Sequence, residues 1–422
     1  MERREFHRVG ECCWAGILPS GLPVFVYPKP EFGKSFAFFA ANYGGMDLRF
    51  EQGGQWKDTP AGVAHFLEHK MFDTKEGNAL QLLSQGGASP NAFTSSSITG
   101  YHFECTEGFE DHLRTLLSFV MEPYFTPESV AKEQGIIGQE IAMIEDEPYW
   151  RLYRNLLAGL YERHPIRISV AGTRESIAGI TDHTLYDCYR SFYHPGNMVL
   201  CVAGPVDPER VFDIAAQVVT QESPGPARRD YGAPEGAKAF QARTEERMEV
   251  SSPLFFTGFK GPEPERGQEN LRLQLTGRLA GELLCGDSSP LYVRLYEAGK
   301  VNKSFSVSFE VEPGISFLAA GGESRDPDGV AEAILREGER LASGGLEEDR
   351  FRRVKKAVYG AQVRGLTSEN LCIQTAQAHF AGYFYLDFPE VYDAITMEEV
   401  SAFLRDYVTA ERQAVSVIAP LL

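Results

Sequence analysis

The apolar positions of this chain fall into short stretches whose period alternates between strand and helix. Ser35 to Tyr43 is rich in Phe and Ala, and it predicts a buried strand that Gly44-Gly45 ends. Thr59-Pro60 marks a helix start, with threonine as N-cap and proline at the first helical position, where its missing N–H costs nothing. Ala61 to Phe72 then runs as a helix containing only Gly62 as a weak point. Ser95 to Cys105 predicts a strand and Phe109 to Met121 a helix. A second Thr-Pro pair, Thr126-Pro127, opens a helix to Met143, with Ile136, Ile137, Ile141 and Ile144 expected along its apolar side. Val199 to Gly204 predicts one more strand.

The pattern lapses from Gln221 to Arg243, which carries Pro224, Pro226 and Pro234 and no apolar period, and reads as a linker. Strand character returns near Met248 and continues through Phe255-Phe256. Ser304 to Val311 and Gly314 to Gly321 predict a hairpin, followed by helices over Val330 to Leu341 and Glu347 to Val363. The second half thus echoes the first. A shift of 221 residues lays Thr126-Pro127 on Glu347-Glu348 and Glu140 on Ala361. The predicted division is a first domain over 1–222, a linker over 223–243 and a second domain over 244–422. A chain of 422 residues also exceeds the usual size of a single core.

Composition narrows the class. Apolar content of 43% is that of a globular protein. No stretch is long enough to span a membrane, and Met1-Glu2-Arg3-Arg4-Glu5 leads into no apolar run, so no secretory signal is expected. Cys12, Cys13, Cys105, Cys188, Cys201, Cys285 and Cys372 are odd in number and form no C-x-x-C, which predicts reduced thiols and a cytoplasmic location. A net charge of −18 argues against nucleic acid. It suits either basic peptide substrates or simply a soluble acidic surface. Gly53-Gly54, Gly86-Gly87 and Gly321-Gly322 are turn glycines outside any phosphate-binding pattern.

The chemistry concentrates in His65-Phe66-Leu67-Glu68-His69, an H-x-x-E-H motif. Histidines four apart on a helix project from one face and can grip one metal ion. The adjacent Glu68 then lies near the metal's open position. A catalytic zinc usually takes three protein ligands and one water, so a third ligand is required. Glu140 is the candidate. Glu133 and Glu140 stand seven residues apart on the second Thr-Pro helix and share a face. The alternative is that both are merely solvated acids. His102 lies on a strand and could approach the site, whereas His7, His112, His164, His183, His194 and His379 have no ligand spacing and are expected to be structural or on the surface.

Together these residues resemble the insulinase/pitrilysin family of inverted zinc peptidases, which includes mitochondrial processing peptidase. Glu140 follows His69 by 71 residues and forms E-x6-E with Glu133, as in that family. Asn91-Ala92-Phe93-Thr94 is similar to the family's N-A-x-T strand, and His164-Pro165, Gly172-Thr173 and Tyr193-His194-Pro195-Gly196-Asn197-Met198 fall where it has like stretches. The resemblance covers roughly residues 15 to 215. It implies an α+β fold of two homologous domains, each a mostly antiparallel sheet packed with helices, enclosing a peptide chamber. It further implies one zinc per chain on His65, His69 and Glu140, with Glu68 as general base and Glu133 behind the ligands. Asn91, Ala92 and Phe93 would form an edge strand to which substrate adds. Peptides or unfolded segments would be hydrolysed by a metalloendopeptidase mechanism.

The second half departs from the family, lacking any H-x-x-E-H. Many relatives carry there an Arg and a Tyr that reach the substrate; Tyr296 and Phe305 take those positions here, with Arg294 nearby. The resemblance therefore implies a two-chain peptidase, in which this chain is the zinc subunit and a homologous zincless subunit supplies the missing groups; a homodimer is the other arrangement. The competing reading is a catalytically silent peptide-binding or scaffolding paralogue.

Overall fold

The computed structural model describes residues 1–421, which divide into two compact units. The first comprises Met1–Ile141, Ile168–Tyr231 and Gly365–Leu386. It is built on a seven-stranded sheet of β1 (Glu2–Phe6), β2 (Glu11–Ile17), β3 (Pro23–Pro28), β4 (Ser35–Ala41), β5 (Ser89–Thr94), β6 (Thr99–Cys105) and β7 (Met198–Gly204), in the order β1-β2-β3-β7-β4-β6-β5. Only β3 and β7 run parallel. β4 and β7 are buried along their whole length, which is why both read as unbroken apolar runs rather than alternating ones.

The second unit comprises Ala142–Arg167, Gly232–Arg364 and the residues from Asp387 onward. Its five strands are β8 (Arg243–Met248), β9 (Leu254–Lys260), β10 (Ser306–Glu312), β11 (Ile315–Glu323) and β12 (Gln413–Pro420), ordered β8-β12-β9-β11-β10. Again only one pair, β8 and β12, is parallel. This is the same arrangement, strand for strand, as β3-β7-β4-β6-β5. The echo between the halves is thus a duplicated α+β fold, each sheet packed with helices.

Six helices carry the argument: α1 (Val63–Met71), α2 (Pro127–Asp146), α3 (Pro148–Leu160), α4 (Gln268–Cys285), α5 (Glu348–Arg364) and α6 (Ser368–Ala381). Compactness divides the chain differently from a contiguous cut at 223–243. In the first unit α6 packs on β7 and β4, and Thr375 shares a 2.7 Å hydrogen bond with the Tyr27 hydroxyl. In the second unit α3 packs on the equivalent strands β12 and β9, with Leu152 in a cluster with Leu254 and Ile418. Each sheet thus covers itself with a helix from the far half of the sequence. A helix packs where its apolar side chains are buried, whatever its place in the chain.

The segment read as a linker is tied down in both units. Arg228–Arg229 pairs with Arg49–Gln52, and the Arg229 guanidinium and Tyr231 hydroxyl donate to Asp47 Oδ1 at 2.8 and 2.9 Å. Further on, Glu235 accepts the backbone N–H groups of Glu162, Arg163 and His164. A Pro-rich stretch without apolar period can still be fixed by ion pairs and backbone donors, and periodicity does not reveal these.

Candidate metal centre

The two Thr-Pro pairs behave differently. Thr126 Oγ1 accepts the Ser129 N–H at 3.2 Å, and α2 begins at Pro127. Thr59-Pro60 does not cap α1, which starts at Val63 with Gly62 as N-cap in the left-handed region, φ 93°. The reason is tertiary. A Cβ on Gly62 would lie 2.6 Å from the Ala171 carbonyl oxygen, and Ser176 Oγ donates to the Ala61 carbonyl at 2.7 Å. The turn before α1 is docked against the Val170–Ile177 segment, and only glycine fits that approach. On α2 the apolar side is narrower than expected: Ile137 and Ile141 are buried, Ile136 is 48% exposed and Ile144 is half-buried.

α1 and α2 bring the predicted residues together. The rings of His65 and His69 lie edge to face, 4.6 Å between centroids. His65 Nε2 is 3.5 Å from Glu140 Oε1, and His69 Nε2 is 3.4 Å from Glu140 Oε2. One donor atom from each of the three residues falls within 4.8 Å of the other two. Glu133 Oε1 meets His69 Nδ1 at 3.1 Å, which turns Nε2 toward Glu140. Among the described residues His65 Nδ1 is buried with no hydrogen-bond partner, so the two imidazoles are held unequally.

The carboxylates separate by environment. Burial raises the Glu68 carboxyl above the usual range, against the opposing effects of the Thr94 hydroxyl and the histidines. His69 pulls Glu133 below that range, and His65 does the same to Glu140. Burial alone would lower His69, but Glu133, Glu68 and Glu140 outweigh it and raise the imidazole. Glu68 is 8% exposed, and its Oε2 accepts the Thr94 hydroxyl at 2.7 Å.

β5 is the edge strand of its sheet. Its odd residues face away from α1: Phe93 stacks on Phe38 at 5.8 Å, and Asn91 is paired with His102. Its even residues, Ala92 and Thr94, face α1. Asn91 Oδ1 accepts the Ala92 N–H at 2.9 Å. His102 lies between Phe36 and Phe38 on the face turned away from α1, so it does not approach the metal-type cluster. The Thr94–Glu68 bond escaped sequence reasoning, although Thr94 was visible at the end of the N-A-x-T run.

Comparison with known proteins bears on the whole chain. Residues 52–174 match the model of the insulinase family (peptidase family M16), and residues 179–358 match that of the peptidase M16 inactive domain. The uncharacterized zinc protease YmfH of Bacillus subtilis (strain 168) is 38% identical over 99% of this chain and 98% of its own length. The chain belongs to the insulinase (M16) family. Among solved structures, an M16-like peptidase from Alicyclobacillus acidocaldarius superposes with a TM-score of 0.94 at 31% identity, covering 97% of this chain and 99% of that one. A chain of complex III2 from Candida albicans has the same fold, with a TM-score of 0.77 at 14% identity over 96% of this chain and 95% of that one.

The donor set of this M16 chain fits zinc. N···O separations of 3.4 and 3.5 Å are long for hydrogen bonds between charged partners. With one donor atom from each residue within 4.8 Å of the other two, the three side chains converge closely enough to share one ion. Two imidazoles and one carboxylate are also a catalytic zinc set, which leaves a fourth position open. By kinship and by donor chemistry the protein is a zinc protease of the M16 family.

The second half holds no counterpart of this cluster among the described residues. Phe305 is 4% exposed and packs against Tyr292 and Phe255. Tyr296 is 45% exposed, and Arg294 pairs with Glu337 at 3.6 Å.

Proposed function

We propose that this chain is a zinc metalloendopeptidase that cleaves peptides or unfolded segments, with Glu68 as general base, and that it is the zinc subunit of a two-chain enzyme. The observation that carries the reading is the convergence of His65, His69 and Glu140, with one donor atom of each within 4.8 Å of the others, beside a buried carboxylate that is not one of the three.

His65 Nε2, His69 Nε2 and one oxygen of Glu140 would hold the ion, and Glu133 would keep the His69 ring turned. When bound there, zinc would supply a Lewis acid for the scissile carbonyl and would lower the pKa of a water toward ~7. Glu68 accepts a proton from the attacking water at its free oxygen and returns it to the leaving amine. The peptide adds as a further strand to the edge of β5 along Asn91, Ala92 and Phe93, held by main-chain bonds that impose little sequence preference. A peptide chamber would admit extended chains and exclude folded ones.

The two-chain reading rests on the second half. Phe305 has no hydroxyl and is packed in apolar surroundings, and Tyr296 carries no cation. Arg294 already has Glu337 as its partner. On this reading a second chain supplies the oxyanion donors that the family resemblance leads one to expect there, each typically worth about 10²–10³ in rate. Seven free cysteines, six of them buried, fit a reducing cytoplasmic setting.

The test has two parts. The purified chain is expected to hold one zinc, and Glu68→Gln to keep that zinc while turnover of an unstructured fluorogenic peptide falls by about 10²–10⁴. A chain without stoichiometric zinc would favour the silent scaffold instead. Adding the homologous zincless chain should raise turnover by ~10² or more; full activity of the lone chain would overturn the two-chain assignment.

A further inference from the structure

We propose that Thr94 is a positioning residue for Glu68, so that the strand which receives the substrate also sets the orientation of the base. The proposal rests on the reading of Glu68 as that base.

Glu68 is a carboxylate in a nearly closed environment, 8% exposed. A buried carboxylate needs donors. Among the described residues, Thr94 is the side chain that hydrogen-bonds to it, through Oγ1 to Oε2 at 2.7 Å. A hydroxyl has a single proton, so Thr94 engages one oxygen of Glu68 and leaves Oε1 to face the reacting water. The two oxygens are equivalent under a half-turn, so what this bond fixes is the plane and position of the carboxylate, along a terminal torsion that is otherwise broad.

The donor is itself held firmly. Thr94 is the last residue of β5 and pairs with Thr99, whose hydroxyl donates to the Tyr43 carbonyl at 2.8 Å. The following turn is closed by Ser95 N–H to Ile98 O at 2.8 Å. It is fastened to the next loop by Gly45 N–H to Ser95 O at 3.0 Å and Met46 N–H to Ser96 O at 2.9 Å. A Cβ on Gly44 would meet the Ser96 backbone at 2.5 Å, so the loop and the turn are in close backbone contact. Asp47, 1% exposed, anchors that loop by accepting the Gly44 N–H at 2.9 Å and binding Arg229 and Tyr231. A β-branched side chain on such a backbone has little rotamer freedom. The alternation of the strand completes the device: Thr94 points to α1 while the outer main-chain edge of β5 stays available to a peptide.

The experiment compares Thr94→Val, Thr94→Ala and Thr94→Ser in the zinc-loaded full chain, with its partner subunit present if that is needed for turnover. Thr94→Val keeps the shape and removes the donor. It should lower kcat by about 10–100-fold, with KM and zinc stoichiometry unchanged, and Thr94→Ala should do the same. Thr94→Ser should restore kcat to within about threefold of the parent, since it returns the donor. The readout independent of activity is the crystallographic orientation of Glu68: one conformer in the parent and in Thr94→Ser, a displaced or split carboxylate in Thr94→Val and Thr94→Ala. A single unchanged Glu68 conformer in both donor-less variants, or a kcat within twofold of the parent in them, would overturn the proposal. Glu68→Gln separates this from the underlying reading. If turnover survives Glu68→Gln the base assignment fails, while the orientation of Glu68 in Thr94→Val still decides the role of Thr94.

Discussion

The two halves of the chain build the same junction, a helix laid against the edge strand of a sheet, and fill it with opposite chemistry. In the first half α1 meets β5 through Glu68 and the Thr94 hydroxyl, a buried polar bond beside two imidazoles. In the second half α4 meets β10 through Gly277 and Phe309, so closely that a Cβ on the glycine would sit 2.2 Å from the ring. The helices that follow differ in the same sense: α2 presents Glu140 to the histidines, while the 221-residue shift of the sequence lays that position on Ala361 of α5. A duplicated fold therefore does not keep a site by itself. In the first half the junction holds a polar pair, Glu68 and Thr94, whereas in the second it is filled by apolar packing.

The sharpest way to break this comparison is to exchange the ligand position. Glu140→Ala should abolish stoichiometric zinc in the purified protein, measured by metal analysis after dialysis. Glu133→Ala should weaken zinc by only ~10–100-fold, the usual cost of losing a partner behind a ligand. Ala361→Glu should add no second zinc, because α5 has no paired histidines opposite it. A second equivalent of zinc in Ala361→Glu would show that the silent half retains more of the site than its sequence displays.

A second prediction separates the two compact units by pH. His164, in the second unit, is buried with Nε2 at the Pro313 carbonyl, and burial lowers its pKa to about 4. The unfolded chain binds this proton near pH 6.5, so its share of stability is complete above that pH and is lost as pH falls toward 4. Between pH 7 and pH 5 the parent should lose about 2 kcal/mol from this group. In denaturant titrations His164→Gln should show that much less pH dependence, and an equal slope in both proteins would remove His164 from the account.

The smallest expected effect tests the packed junction. Gly277→Ala should cost about 1–3 kcal/mol through the clash with Phe309, seen as a lower thermal midpoint, while zinc content and peptide turnover stay as in the parent. A loss of zinc in this variant would show that the second half supports the first more directly than its own packing implies.

Much of the site was legible because its chemistry is local. H-x-x-E-H places His65, Glu68 and His69 by helical spacing alone, and the seven-residue step from Glu133 to Glu140 does the same on α2. Strands β4 and β7 showed as apolar runs because both of their faces are covered. The start of α1 was misplaced because a Thr-Pro signal carries no information about the Ala171 backbone that Gly62 must approach. His102 read as a possible neighbour of the site because alternation gives two faces without saying which one meets α1.

By itself, then, the sequence determined the candidate ligand types, their spacing, the duplicated order of elements and the lack of a second H-x-x-E-H, all of which depend on residues near one another in the chain. Tertiary structure alone decided that Glu140 reaches both histidines, that Thr94 closes on Glu68, and that α3 and α6 cover sheets from the far halves of the sequence. The physical reason is that periodicity gives the direction of a side chain on its own element. What that side chain meets is settled by burial of apolar faces and pairing of polar groups across long chain separations.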